Sequence, residues 1–377
     1  MKKIMILSAS IGAGHIKAAE AIHEVMEAKA GTVVRSYDVL DFVPAAWKRT
    51  FLKLYLYSLK SFPQVYEHAY AWGNDNKWAL WGRSWINKIF VRKLLRYIQA
   101  FSPDCIISTH ATPASLVSYL KEKREIAEVC SVSVITDFAI HRLWFNQNTD
   151  AFFLAHDGLR SSPVFHDFDL GKVYTTGIPV RTAFKEKIDR DETCDRLNLS
   201  GNKPTILIMG GGAGILPMQE LLKEMLKEML KVKRTLQIIV VAGNNKTLYN
   251  DLQCIASSHH IVRVFGFVGN IHEIMTVADL MISKAGGITI SEALCKGLPM
   301  LLYRPLPGQE NYNANFIVQL QAAIIVQDIE KLSNVIEGLF QEENDQLEKM
   351  RKKALQSAKR NAADEIMERI FQNFLLS

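Results

Sequence analysis

The chain has 377 residues, which is long for a single domain and fits two domains of ordinary size. Hydrophobic residues make up 48% of it and charged residues 22%, a balance typical of soluble globular proteins. No apolar run approaches the roughly 20 residues that a membrane-spanning helix needs. The N-terminal apolar run is only about five residues long and leads into a glycine turn, so we interpret it as a strand and not as a signal peptide.

Cysteine and histidine spacings exclude the common metal and disulfide frameworks. The five cysteines show no CxxC spacing, which indicates a reducing, cytoplasmic compartment and argues against a zinc site or a disulfide frame. The ten histidines form no HExxH or comparable motif. We therefore expect no metal site and no cofactor.

The chain opens with the pattern of a βαβ unit. A strand is predicted at Lys3–Ser8, a glycine turn at Ile11–His15, a helix at Ile16–Lys29 and a second strand at Val33–Asp38. The GxG of this turn lacks the third glycine and the acidic residue of a dinucleotide fingerprint. His15 is predicted at the carboxyl edge of the sheet, where open α/β folds bind ligands; the alternative is a capping or surface histidine.

The segment 44–100 interrupts this alternation of strands and helices with a predicted helical insert. Between Pro44 and Tyr97 there are ten Lys and Arg against two acidic residues, and five of the six tryptophans of the chain lie there. Such a composition is expected at an anionic membrane surface; the alternatives are aromatic residues that pack inward, or nucleic acid as the partner. No RNP, KH or helix-turn-helix pattern supports nucleic acid. The residues expected to contact the membrane or the acceptor are Trp47, Lys53, Trp78, Trp81, Trp85, Lys88, Arg92, Lys93 and Arg96.

The α/β rhythm resumes after the insert. Strands are predicted at Cys105–Thr109, Val132–Thr136, Ala151–Ala155 and Val173–Thr176, and helices at Pro113–Lys123 and Gly158–Phe165. His110, Asp137 and His141 each follow the end of a strand, as His15 does. Because parallel strands end at one edge of their sheet, we expect these four side chains to converge. The carboxylate would then orient or stabilise a histidine that acts as a general base.

A polar stretch, Lys185–Lys203, is the predicted linker to a second α/β series. That series has predicted strands at Thr205–Met209, Leu236–Ala242, Val262–Gly266, Leu280–Ser283, Pro299–Tyr303 and Ala323–Val326, and helices at Pro217–Lys231, Ile271–Val277 and Ile288–Lys296. A glycine loop at Gly210–Gly214 lacks the GK[ST] of a P-loop, so a nucleoside triphosphatase is not indicated. From Ile329 onward the chain is predicted to be helical, and a last helix at about 355–377 is expected to pack back on the first half.

The stretch from Leu280 to Phe316 carries the strongest functional signal. Gly286 and Gly287 form a turn from a strand into a helix, where free N–H groups and the helix dipole favour an anion. Pro307–Glu310 is predicted as a turn that presents an amide and a carboxylate to a hydroxyl-rich ligand. The alternative is an ordinary βαβ unit with turn glycines.

The chain resembles the monogalactosyldiacylglycerol synthase and processive diacylglycerol glucosyltransferase family over nearly its whole length, and the Gram-positive diacylglycerol glucosyltransferases most of all. The matching segments are SIGAGHIKAAEAI, PQVYEHAY, ITDFAIHRLW, TGIPVR, IMGGGAG, FGFVGNIHEIM and KAGGITISEALCKGLPMLLYRPLPGQENYNANF. These are inverting GT-B enzymes related to the glycosyltransferase that makes lipid II. The resemblance implies an α/β fold of two Rossmann-like, doubly wound domains that face each other across a cleft. The implied domains are 1–182, for the acceptor and the membrane, and 183–354, for the UDP-sugar.

The resemblance also implies roles for single residues. His15 matches the proposed base or acceptor-site histidine, and Asp137 and His141 match a segment near it. Gln309 and Glu310 match the pair that reads the hexose hydroxyls.

The rest of the donor site is likewise implied by the resemblance. The glycines and Thr289 match the diphosphate cradle, and Glu292 matches the carboxylate that binds ribose. Phe267 and Val268 match the edge that reads uracil, and Asn313 lies near the hexose pair. The implied donor-binding residues are Gly211, Gly212, Phe267, Val268, Gly286, Gly287, Thr289, Glu292, Gln309, Glu310 and Asn313.

The implied function is transfer of a hexose, with glucose expected, from a UDP-sugar to diacylglycerol at the anionic inner face of the cell membrane. The product can serve as acceptor for further sugars, and neither a metal nor nucleic acid is expected as a partner. Alternatives are UDP-galactose or UDP-N-acetylglucosamine as donor, another lipid acceptor, a non-catalytic nucleotide-sugar-binding protein, or a UDP-sugar epimerase. The presence of His15, Glu292, Gln309 and Glu310 argues against a non-catalytic protein, and the basic insert has no purpose in an epimerase.

Overall fold

The computed structural model describes residues 1–43, 48, 50, 91–210, 216–229, 236–341 and 343–376. The chain divides into two compact units. The first comprises Met1–Thr182, Pro307–Gln309 and Lys359–Ser377, and the second comprises Ala183–Leu306 and Glu310–Ala358. None of the helices in the described ranges is long and apolar enough to cross a membrane. The predictions for Trp47, Lys53, Trp78, Trp81, Trp85, Lys88, Gly211 and Gly212 lie outside the described residues.

A parallel six-stranded sheet forms the centre of the first unit. Its strands are β1 (Lys2–Ser8), β2 (Thr32–Asp38), β3 (Cys105–Ser108), β4 (Cys130–Val134), β5 (Ala151–Phe153) and β6 (Val173–Tyr174). They lie in the order β2-β1-β3-β4-β5-β6, and every neighbouring pair is parallel. The order reverses between β1 and β3, and open α/β sheets bind ligands at such a switch point.

Helices α1 (Ala13–Ala28), α2 (91–101 within the described residues) and α3 (Ala111–Glu122) pack beside this sheet. Helix α1 begins three residues earlier than predicted, because Gly12 takes a positive φ of 104° that ends the turn at once. The helix predicted at Gly158–Phe165 is wrong. That segment forms two short 3-10 turns, Asp157–Ser161 and Pro163–Asp167, and the proline, which has no N–H to donate, starts the second.

The second unit is built on another parallel six-stranded sheet. Its strands are β7 (Thr205–Met209), β8 (Gln237–Val241), β9 (Val262–Phe265), β10 (Leu280–Ser283), β11 (Met300–Tyr303) and β12 (Ala323–Val326). Their order is β12-β11-β10-β7-β8-β9, the doubly wound Rossmann order, with its switch point between β7 and β10. The central strands read as continuous apolar runs because helices cover both faces of a parallel sheet.

The helices of the second unit differ from the sequence predictions at two places. They are α4 (Arg190–Arg196), α5 (Met218–Met229), α6 (Lys246–Ala256), α7 (Ile271–Val277), α8 (Gly287–Lys296), α9 (Gln309–Gln319), α10 (Ile329–Leu339) and α11 (Gln346–Ser357). The linker prediction for Lys185–Lys203 is wrong, because this stretch contains α4, which packs on α7. The turn prediction for Pro307–Glu310 is half wrong, because Gln309 and Glu310 already belong to α9.

The C-terminal segment belongs to the core of the first unit. Helix α12 (Ala362–Ile370) packs on α1, and a π-turn, Phe371–Leu375, follows it. Ile366 and Ile370 are fully buried in the cluster around Ile4 and Met26. Each such buried side chain stabilises the fold by about 1.5–3 kcal/mol, so this helix is part of the first unit's structure.

Candidate active site

His15 lies in the first turn of α1, beside the switch point of the first sheet. Its Nδ1 is 3.0 Å from the backbone oxygen of Thr109, at the end of β3, and 2.7 Å from the hydroxyl of Thr136, just after β4. The hydroxyl of Thr109 in turn donates to the backbone oxygen of His15 at 2.9 Å. Two strand ends therefore hold this one residue by its ring and by its main chain.

These contacts determine the tautomer of the His15 imidazole. A carbonyl oxygen only accepts hydrogen bonds, so Nδ1 must carry the proton that it shares with Thr109. In the neutral ring Nε2 then keeps its lone pair and can accept a proton. Burial lowers the pKa of His15 below its usual value, and the charge of Asp137 and the bond to Thr109 partly oppose this. The ring is therefore a base near neutral pH.

His110 is a second imidazole next to the first, in the opposite tautomer. The two ring centroids are 4.6 Å apart in an edge-on arrangement. Nδ1 of His110 accepts the backbone N–H of Thr112 at 3.0 Å and caps helix α3, so Nε2 carries the proton in the neutral ring. Burial and the charge of His15 hold the pKa of His110 well below its usual value. This ring stays neutral and is a hydrogen-bond donor.

Asp137 and His141 lie in the loop that follows β4. Asp137 is buried, and its charge acts on His15. His141 is also buried, and its Nδ1 accepts the N–H of Leu143 at 3.1 Å, which caps the short turn that carries Trp144. The Trp144 ring centroid lies 6.3 Å from both His15 and His110. Of the four side chains predicted to converge, His15, His110 and Asp137 lie close together, with Trp144 beside them. The fourth, His141, caps the turn that carries this tryptophan.

In the second unit the switch point carries the N-terminus of α8. Gly286 caps this helix without any side-chain bond, and every residue from Gly287 to Cys295 is buried. Ser283 donates to the backbone oxygen of Met209 at 2.9 Å, which joins the ends of β10 and β7. The free N–H groups of the first turn and the helix dipole make this a position for an anion.

A buried ion pair stands directly before the Gly286 turn. Lys284 Nζ lies 3.3 Å from both carboxylate oxygens of Glu310. The side chains are only 10% and 23% exposed, and one oxygen of Glu310 also accepts the N–H of Leu306 at 2.9 Å. Desolvation lowers the pKa of Lys284, and the charge of Glu310 opposes this. Lys284 follows a strand end in the same way as His110, but no motif in the sequence marks it as a site residue.

The other predicted donor residues take different positions. Thr289 and Glu292 lie inside α8 and are buried. The buried amide of Asn313 donates to the backbone oxygen of Ala285 at 3.0 Å, so this residue supports the glycine turn. Phe267 lies just after β9 and is 62% exposed, a large aromatic surface that a planar ring can cover. Val268 beside it is half-buried.

Comparison with known proteins identifies the family. The monogalactosyldiacylglycerol (MGDG) synthase family model matches residues 15–180, and the glycosyltransferase family 28 C-terminal domain matches residues 205–369. A processive diacylglycerol beta-glucosyltransferase of Bacillus thuringiensis (strain Al Hakam) is 32% identical over an alignment 377 residues long. The alignment covers 98% of this chain and 93% of the relative. That of Bacillus cereus (strain AH820) is 32% identical over 375 residues, with the same coverage. The chain belongs to the monogalactosyldiacylglycerol synthase and processive diacylglycerol glucosyltransferase family.

Solved structures agree with this family at the level of the fold. MurG of Acinetobacter baumannii superposes with a TM-score of 0.65 at 16% identity, covering 99% of this chain and all of that one. The UDP co-structure of MnaA from S. aureus gives a TM-score of 0.64 at 14% identity, covering 100% and 98%. The fold is that of the GT-B glycosyltransferases, as predicted.

Each of the two switch points lies within one of the two family matches. The family 28 match contains the Gly286 turn, Lys284 and Glu310, and the synthase match contains His15, His110 and Asp137. No three His, Cys, Asp or Glu side chains within the described part of the chain are placed to hold a metal ion. Thr136 and Lys284 are residues of the described sites that the sequence did not predict. Their partners, His15 and Glu310, are distant in the chain, so no local pattern reveals these contacts.

Proposed function

We propose that the protein transfers glucose from UDP-glucose to the free hydroxyl of diacylglycerol, with inversion at the anomeric carbon. The observation that carries the proposal is the His15 imidazole, whose Nδ1 is committed to Thr109 and whose Nε2 is left as a base at a sheet switch point. The names of the relatives, which match this chain from end to end, support glucose and diacylglycerol as the substrates. We also propose that the glucosylated product returns as acceptor for further transfers.

On the acceptor side His15 performs the proton transfer. Its Nε2 takes the proton of the lipid hydroxyl as that oxygen forms a bond to the anomeric carbon of glucose. The bond from the same carbon to the diphosphate oxygen breaks, and UDP leaves with the electron pair. The charge of Asp137 stabilises the imidazolium that results, and Nδ1 keeps its bond to Thr109 throughout. A single displacement inverts the anomeric carbon.

On the donor side the switch point of the second unit binds UDP-glucose. The N-terminus of α8 at Gly286 receives the diphosphate, and the nearby ammonium of Lys284 balances its growing charge. Glu292 binds the ribose hydroxyls, and the exposed ring of Phe267 covers uracil. Gln309, at the start of α9, reads the hexose hydroxyls, while Glu310 holds Lys284 in place.

The N-terminus of α8 and the ammonium of Lys284 together support a transfer without a metal cofactor. Preorganised N–H groups and a fixed ammonium stabilise a leaving diphosphate in a protein site. We therefore propose that the rate is the same with and without an excess of EDTA. A loss of activity in EDTA that returns with Mg²⁺ or Mn²⁺ would refute this part of the proposal.

The acceptor is reached from an anionic membrane, at its cytoplasmic face. In the described part of α2, Leu94, Ile98 and Phe101 are buried in the core, which leaves the other side of the helix to solvent. Arg92, Lys93 and Arg96 are exposed on that side. Each basic residue near such a surface contributes about 1 kcal/mol of attraction.

A panel of donors tests the substrates. The purified protein is incubated with diacylglycerol in vesicles that contain phosphatidylglycerol, and with UDP-glucose, UDP-galactose or UDP-N-acetylglucosamine in turn. Extracted lipids are then identified by mass spectrometry. We expect hexosyl- and then dihexosyl-diacylglycerol with UDP-glucose. Product with another donor alone would correct the sugar, and absence of glycolipid with every donor would refute the proposal.

A further inference from the structure

Among the described residues, Thr136 makes the shorter of the two hydrogen bonds to the ring of His15. Its Oγ1 lies 2.7 Å from Nδ1, closer than the Thr109 carbonyl oxygen at 3.0 Å. The side chain is 3% exposed, and it comes from the loop after β4, a different element from the one that carries Thr109. The two oxygens approach the same nitrogen, which carries a single proton.

The direction of this bond follows from the tautomer. Because Nδ1 already carries the proton that it shares with Thr109, it has no lone pair for the Thr136 hydroxyl to donate to. The hydroxyl oxygen must therefore accept, and the N–H is shared between two acceptors. An acceptor on Nδ1–H stabilises the imidazolium more than the neutral ring, since hydrogen bonds to charged groups are the stronger ones. In a Ser-His-Asp triad a carboxylate has this position.

We infer that Thr136 is a positioning residue for the reaction: its hydroxyl fixes the ring of His15 with Nε2 free and stabilises the imidazolium as the acceptor is deprotonated. The inference rests on the proposed function for its catalytic consequence. The charge that favours the imidazolium comes from the next residue, Asp137, whose effect is on the same ring. Within the described part of the chain, His110 is the second titratable group against His15, and its neutral ring adds no charge.

Two substitutions separate the hydroxyl from the shape of the residue. Thr136→Val keeps the β-branched shape in a buried position and removes the hydroxyl, whereas Thr136→Ser keeps the hydroxyl and removes the methyl group. Thr109→Val is the matched control. It removes the hydroxyl that binds the main chain of His15 and leaves the carbonyl oxygen on Nδ1 in place.

The first measurement needs no substrate. Protein labelled with ¹⁵N in its histidines is titrated with pH, and the ring nitrogens of His15 are assigned by their loss in His15→Gln. We expect the Nδ1–H tautomer in the unsubstituted protein. In Thr136→Val the pKa of His15 should fall, because the imidazolium loses an acceptor, while in Thr136→Ser and Thr109→Val it should stay unchanged.

The second measurement is the rate of transfer. In Thr136→Val we expect kcat to fall about tenfold, which corresponds to about 1.4 kcal/mol, with KM for UDP-glucose unchanged. The acidic limb of the kcat–pH profile should move to lower pH in Thr136→Val. Thr136→Ser should keep both the kcat and the acidic limb of the unsubstituted protein. An unchanged pKa of His15 in Thr136→Val, or a loss in Thr136→Ser as large as in Thr136→Val, would overturn the inference. Should the unsubstituted protein make no glycolipid, the proposed function fails, and the titration still decides the role of Thr136.

Discussion

The buried pair of Lys284 and Glu310 gives a prediction whose size follows from its geometry. Glu310→Gln preserves the shape and an oxygen that can accept the Leu306 N–H, but it removes the charge that lies 3.3 Å from the ammonium. Breaking a buried pair from one side costs about 3–5 kcal/mol. Since Glu310 is 23% exposed, we expect the lower end, about 3 kcal/mol lost from the free energy of unfolding.

A second substitution shows whether the loss comes from the pair. In the background of Lys284→Met the carboxylate of Glu310 is itself left without its counter-ion, so Glu310→Gln removes an unpaired charge and should cost no more than about 1 kcal/mol, the scale of one neutral hydrogen bond. The coupling energy between the two positions should then be at least about 2 kcal/mol, within the range for residues in contact.

Alkaline pH gives an independent signature of the same pair. Desolvation lowers the pKa of Lys284 below its usual 10.5, and the charge of Glu310 partly offsets this. Glu310→Gln removes the offset and therefore lowers the pKa of Lys284 further. Between the lowered pKa and the usual value the unfolded chain binds more protons than the folded chain, and stability therefore rises with pH in that window. The deficit of Glu310→Gln should accordingly shrink as the pH is raised toward 10.5.

The measurement is a urea titration read by hydrogen exchange of peptides from β10 and β11. This reports on the second unit by itself, since a chain of two units need not unfold in one transition. An equal cost of Glu310→Gln with and without Lys284, and a deficit that does not change with pH, would refute the reasoning.

Three further predictions concern the first unit. His15→Gln should lower kcat by about 10²–10⁴, the range for general base catalysis, while calorimetry finds UDP binding nearly unchanged; loss of UDP binding would assign His15 another role. Because burial lowers the pKa of His15, kcat should hold its plateau at neutral pH and fall only on the acid side of 6.5, and a fall that begins above 6.5 would contradict the pKa direction. Replacing Arg92, Lys93 and Arg96 with Gln should weaken sedimentation with anionic vesicles by about 3 kcal/mol, roughly a hundredfold.

The last of these has a matched control in the second unit. Lys349, Lys352 and Lys353 are exposed on α11, and their replacement removes the same charge from another surface. Equal weakening by both triple variants would mean that net charge alone, and not the α2 surface, determines binding to vesicles.

The sheets could be predicted closely from the sequence because each strand is a short apolar run. Thr205–Met209, Leu280–Ser283 and Ala323–Val326 have the predicted bounds. Helix α4 was missed because its segment is polar on most sides. It is held by an Asp189 cap and by the pair of Arg190 with Asp279, which lies far along the chain. Long-range ion pairs leave no periodic signal in a sequence.

The same limit applies to the candidate site. The sequence places His15, His110 and Asp137 at strand ends, and the parallel order of the sheet then brings them to one edge. Which nitrogen of His15 carries the lone pair depends on Thr109 and Thr136, at sequence distances of 94 and 121 residues, and no motif encodes it. Glu310 was predicted only as a sugar reader, and its bond to Lys284 required the structure.

One measurement tests the proposed transfer most directly. The protein is given UDP-[1-¹³C]glucose and diacylglycerol in phosphatidylglycerol vesicles, and the one-bond and vicinal couplings of the labelled anomeric carbon and its proton are read by NMR in the lipid extract. We expect a β-glucosyl diacylglycerol that appears with the unsubstituted protein and is lost with His15→Gln. An α-linked product, or a β-linked product formed at the same rate by His15→Gln, would contradict inversion by a single displacement with His15 as the base.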